Sequence, residues 1–189
     1  MNCTFQEALC IAAVLTQQQA ARVKSHALLV LDHIHKVADL KSYLRMHRQV
    51  IGSCPLLLDD GACGVYDLRP FSCRALLSTK EKHWCSVDFG RIPAAARAAF
   101  IESLDRAAVS FPMHYLYATQ DIGQQLEARA SMDMAARFGF SLSGNLPFLI
   151  YLEQEHQISK IIPHGNGITT DFLAQANLLH PYLVVTEEI

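Results

Sequence analysis

The sequence contains no basic block. Its 16 lysines and arginines are spread along 189 residues and nearly balance 18 aspartates and glutamates, for a formal net charge of −2. It therefore lacks the electrostatic footprint of a nucleic-acid binder and the polybasic patch that draws proteins to anionic membranes. Long hydrophobic runs are missing too. The opening stretch MNCTFQEALCIAAVL has neither the basic region nor the small-residue cleavage site of a signal peptide. Glu7 and the run Gln17, Gln18, Gln19 interrupt it before spanning length. The apolar LSGNLPFLIYL at 142–152 is short and contains Pro147. These absences predict a cytoplasmic protein with no membrane and no nucleic-acid partner. There is no G-x-G-x-x-G after a strand, no phosphate loop and no G-x-S-x-G elbow, so no nucleotide or serine-hydrolase chemistry is indicated. Internal repeats and low-complexity tracts are also missing.

An apolar fraction of 51% against 18% charged residues is ample for a packed core. The length suits one domain, 1–189. Most of the chain reads as helix. Residues 5–17 carry apolar side chains at Phe5, Leu9, Ala12, Ala13 and Leu15, with Thr4 and Glu7 placed for a capping box. Cys10, inside this helix, is expected to be buried as a small hydrophobe. Residues 17–37 form a second helix with Val23, Ala27, Val30, Leu31 and Ile34 on one face. Asp39 caps a third, over 40–49. Further helices are expected from Pro93 to about 109, and over 121–138 with Asp121 as cap and Gly139 as stop. The segment SLSGNLPF reads as a loop, and 148–158 fits a short helix or a strand equally well. His164 to Gly167 reads as a turn, followed by a last helix capped by Thr169 or Thr170; YLVV fits a strand or a tail. The predicted class is mainly α, a single helical domain with an irregular cysteine-rich loop segment at 54–85.

That segment, CPLLLDDGACGVYDLRPFSCRALLSTKEKHWC, holds four of the six cysteines and the only tryptophan. Thiolates are good ligands for zinc and for iron in iron–sulfur clusters. Four of them, Cys54, Cys63, Cys73 and Cys85, can close a tetrahedral site. A reducing compartment favours this use over disulfides. The turn chemistry of Asp59-Asp60-Gly61 would return Cys63 towards Cys54. Val65, Tyr66 and Leu68 can anchor the loop, while Arg69 and Arg74 are placed to offset thiolate charge. The cysteines are separated by eight, nine and eleven residues with no C-x-x-C pair, which is not a zinc-finger spacing. Spacing alone leaves metal ligands and unlinked cysteines both open.

The residues between the cysteines add a resemblance. Cys54, Pro55, Leu56 and Leu57, then Gly61, Cys63, Val65 and Tyr66, then Arg69, Pro70, Cys73 and Arg74 resemble the signature of the YkgJ-type cysteine-cluster family, a zinc- or iron-chelating domain. The resemblance implies a metal ion held by Cys54, Cys63 and Cys73, with Cys85 a looser carry-over because the family's later cysteines vary in position. The family's usual tight cysteine cluster before the first helix is represented here by Cys3 alone. Cys3 and His83 are therefore further candidate ligands. The expected function is metal binding, with zinc, iron or an iron–sulfur cluster as cofactor and the protein partner unspecified. Two alternatives stand beside it: an iron–sulfur oxidoreductase or lysine N-methylase-like enzyme, and an interaction protein whose cysteines are inert.

Overall fold

The structure, a computed structural model, describes residues 2–188; the side chains of Lys82 and Ser86 lie outside that description. The elements run β1 (Asn2–Thr4), α1 (Phe5–Ala12), α2 (Gln17–Ile34), α3 (Leu40–Met46), α4 (Phe71–Ala75), α5 (Ala94–Glu102), α6 (Tyr117–Phe138), β2 (Ser141–Asn145), α7 (Leu146–His156), α8 (Asn166–Gln175) and β3 (Val184–Glu187). The protein is mainly α, as its periodicity predicts. It divides into two compact units: Met1–Pro70 with Ala128–Ile189, and Phe71–Glu127. No described helix is long and apolar enough to cross a membrane.

In the first unit, helix starts follow local chemistry. The Glu7 carboxylate accepts from the Thr4 N–H at 2.9 Å and from its hydroxyl at 2.8 Å. Thr16 and Gln19 exchange the reciprocal bonds of a capping box at the start of α2. Asp39 Oδ1 accepts from Ser42 N at 2.7 Å and starts α3. Val23, Ala27, Val30 and Ile34 form the buried face of α2, as their spacing predicts. On α1 the buried residues are Phe5, Ala8 and Ile11, while Cys10 lies on the opposite face and is exposed. The expectation of a buried Cys10 is thus corrected: the helix turns it away from the core.

The centre of this unit is α7, which packs against α1 and α2. Seven consecutive residues, Leu146 to Leu152, are buried. Asn145 starts the helix by accepting from Phe148 N at 3.2 Å, and its amide donates to Tyr43 Oη at 3.1 Å. The segment 141–145, whose composition reads as loop, is the middle strand of an antiparallel sheet ordered β1-β2-β3. Cys3 stands opposite Gly144, and Gly144 opposite Val184. Helix α8 begins at Asn166, after Gly165 at φ 99°, so Thr169 lies within it, fully buried, and is not its cap. Between α3 and the cysteine-rich segment, His47–Ile51 forms a π-helical turn closed by Gly52 N donating to His47 O at 2.9 Å. Gly52 leaves it at φ 83°.

The second unit is built on Phe100, Leu104 and Val109, with Trp84, Phe89 and Ile101 packed against them. Pro93 precedes α5 as the sequence suggests, but the helix stops at Glu102. Asp121 is not a cap: α6 starts four residues earlier, and Asp121 accepts from Gln125 within it. Its residues up to Glu127 belong to this unit and the rest to the first.

One half-buried side chain in the first unit predicts a pH effect. Burial, with the neighbouring His26 adding to it, lowers the His47 imidazole to about 4. The ring packs edge-on against Tyr43 at 4.5 Å, and Nε2 is buried with no hydrogen-bond partner. The folded state therefore binds this proton less readily than the unfolded state. Its contribution is full above pH 6.5 and is lost as pH falls from 6.5 towards 4. A shift of that size corresponds to about 3 kcal/mol. Because the ring is only partly removed from solvent, screening reduces the expected loss to roughly 1–2 kcal/mol. Urea unfolding of wild type and His47→Gln at pH 7 and 4.5 measures it. The variant should lose less stability on acidification; parallel losses would assign the effect to other groups.

Candidate metal centre

A tight hairpin in the first unit turns Cys63 back towards the Cys54 end of the segment. Leu57 and Cys63 pair as an antiparallel bridge. Leu58 N donates to Ala62 O at 2.8 Å, and Gly64 N to Leu56 O at 2.8 Å. The turn is made by the predicted residues: Asp60 Oδ1 accepts from Ala62 N at 2.8 Å, and Gly61 takes φ 83°. A left-handed residue is required there, and glycine supplies it without strain. The Asp59-Asp60-Gly61 chemistry thus does return Cys63 towards Cys54.

The Cys54 thiol is held in a defined setting. Cys54 reaches the surface but stands over densely packed chain, and this desolvation pushes its thiol up from the usual value. The nearby Cys63 adds to the shift, while the Leu56 N–H and the Arg22 guanidinium oppose it. An N–H aimed at sulfur from two residues on, in a Cys-Pro turn, is the kind of outer contact that orients a thiolate ligand. Arg22, on α2, also donates to Leu57 O at 2.6 Å, which ties the helix to the hairpin. An open cleft of about 470 Å³, lined by Arg22, Ser25, His26 and Pro55 among others, adjoins this turn and gives an approach from solvent.

An arginine from outside the segment, Arg22, thus acts on the Cys54 thiol. Arg69 instead lies over the Tyr66 ring at 3.8 Å. Of the three proposed anchors, Val65 is buried, whereas Tyr66 and Leu68 are exposed. Cys3 is buried on β1, an edge strand of the sheet.

Cys73 and Cys85 belong to the second unit. Cys73 is half-buried in the short helix α4. Cys85 is exposed on the 3-10 turn Lys82–Ser86. Its Sγ lies 3.5 Å from Nε2 of His114, and the Tyr115 hydroxyl hydrogen-bonds to it. Burial and that bond raise the Tyr115 phenol. Burial, with a smaller push from Lys80, lowers the His114 imidazole. His114 is nearly fully buried. Its carbonyl accepts from the Thr79 N–H at 2.8 Å and hydroxyl at 3.0 Å, and its ring meets Phe100 edge-on at 5.7 Å. His83, the nitrogen candidate read from the sequence, faces Glu81 at 3.3 Å and the Trp84 ring at 4.9 Å. Among the described residues, no group of three or more His, Cys, Asp or Glu side chains is arranged to hold a metal ion.

Sequence reasoning missed Arg22, His114 and Tyr115. Arg22 sits on a helix more than thirty residues before Cys54. His114 falls in an aromatic-rich stretch whose composition signals packing. Compared with family models, curated proteins and solved structures, the chain matches none.

Proposed function

We propose that this protein binds a thiophilic metal ion, zinc or iron, through a cysteine site founded on Cys54 and Cys63. One observation carries the reading: the Asp59-Asp60-Gly61 hairpin pairs Cys63 with Leu57 and turns it back towards Cys54, whose thiol feels the charge of Cys63 and of Arg22 and accepts from Leu56 N–H. Two thiolates supply half of a tetrahedral sphere. The remaining positions of that sphere are left to water or a further donor. Structural zinc sites contribute on the order of 10 kcal/mol of binding energy, so each ligand is worth roughly 100-fold in affinity.

The test is metal analysis of protein purified anaerobically, followed by zinc and cobalt titration of the apoprotein. Zinc or iron should co-purify, and an iron–sulfur cluster would announce itself by visible colour. Cys54→Ser and Cys63→Ser should each weaken binding on the order of 100-fold. Protein free of both metals, with Cys54→Ser indistinguishable from wild type in titration, would sink the reading. Affinity should also rise with pH, because the raised Cys54 thiol must release its proton to bind.

A further inference from the structure

We infer that His114 is a nitrogen ligand, paired with Cys85, for a divalent ion of the zinc class bound in the second unit. The sequence resemblance implies only cysteine ligands, and the nitrogen candidate within the segment is His83. The fold instead brings His114 to Cys85 across 29 residues of sequence.

The distance fits co-ligation. Tetrahedral zinc with Zn–S of about 2.3 Å and Zn–N of about 2.0–2.1 Å places sulfur and nitrogen about 3.5 Å apart. The observed Sγ···Nε2 separation is 3.5 Å. The pair is also supported from outside. His114 is pinned through its backbone by Thr79 and through its ring by Phe100, so Nε2 is held where Sγ is. Tyr115 hydrogen-bonds to the same sulfur, the outer-shell contact that steadies a thiolate ligand. Cys85 is exposed, so an ion reaches the pair without unfolding the unit. Two protein ligands leave further positions for water or an additional donor. Binding releases the Cys85 thiol proton and leaves His114 neutral.

The pair has its own reporter. Trp84, the only tryptophan, precedes Cys85 and packs on Phe100 at 4.4 Å, the same ring that His114 meets. Cobalt bound at Cys85 and His114 should therefore quench Trp84 fluorescence. Titration of the full-length reduced apoprotein with cobalt should give saturable quenching, and zinc should reverse it. In His114→Gln and in Cys85→Ser the midpoint should move at least 10-fold upward. Cys85→Ser alters an exposed residue and keeps the test open if His114→Gln fails to fold. Zinc X-ray absorption should show nitrogen at about 2.0–2.1 Å beside sulfur at about 2.3 Å. His114→Cys should turn that shell towards sulfur while retaining the ion. Quenching that survives in Cys54→Ser/Cys63→Ser supports this pair even where the reading of the first unit fails. Unchanged titrations in both His114→Gln and Cys85→Ser would overturn the inference and leave a thiol–imidazole hydrogen bond.

Discussion

Gly144→Ala should destabilise the first unit by about 3 kcal/mol, at or beyond the upper end of what overpacking usually costs. Gly144 is in the middle strand, opposite Cys3 on one side and Val184 on the other. A methyl group on it would stand 2.1 Å from the Leu183 carbonyl oxygen and 3.0 Å from Val184 Cα. Both are backbone atoms, so no side-chain rotation relieves the contact. The same carbonyl accepts from Asn145 N at 2.9 Å, so moving it disturbs the residue that caps α7. A matched control lies on α8, where a methyl group on Gly167 meets nothing within 4 Å. Gly167→Ala should be neutral or stabilising by up to about 1 kcal/mol, since alanine loses less backbone freedom on folding. Urea unfolding followed by circular dichroism compares them. Equal midpoints for the two variants would show that the sheet yields at Gly144 and that the close approach costs little.

The second large effect is expected at Phe148. Replacing it with alanine should cost about 3–5 kcal/mol, the range for a fully buried aromatic side chain. Phe148 is fully buried on α7, stacks near Tyr151 at 6.0 Å, and has its N–H held by Asn145. The helix is enclosed by α1, α2 and the sheet, so the lost volume cannot be filled by solvent or by a mobile loop. Domains are stable by roughly 5–15 kcal/mol in total, so this one change should remove a large part of it. Met132→Ala, at an exposed position of α6, should stay within about 0.5 kcal/mol of wild type. A loss below about 2 kcal/mol at Phe148 would mean that α7 repacks and is not the rigid centre of the unit.

Much of the helical scaffold was legible because its signals are local. Thr4 with Glu7 and Asp39 with Ser42 satisfy backbone groups three residues away, and α2 shows its buried face in the spacing of Val23, Ala27, Val30 and Ile34. The hairpin at Asp60-Gly61 is local in the same sense, which is why the approach of Cys63 to Cys54 could be anticipated. Helix α7 was ambiguous for a definite reason. It is buried on every side from Leu146 to Leu152, so it carries no polar stripe from which a period can be read. Cys10 misled in the opposite way: its type suggests burial, but its phase on α1 directs it to solvent.

The sequence by itself therefore determined the helical class, the helix caps at Thr4 and Asp39 and the turn that returns Cys63 towards Cys54, because each rests on hydrogen bonds or apolar spacing within a few residues. Tertiary structure alone decided that SLSGN is a central strand, since its glycine and small polar residues signal a loop until Leu183 and Cys3 close on either side. It alone placed Arg22 beside Cys54 and His114 beside Cys85. Those contacts join segments tens of residues apart. Packing of the whole unit supplies the energy that holds them, and no local period or spacing records it.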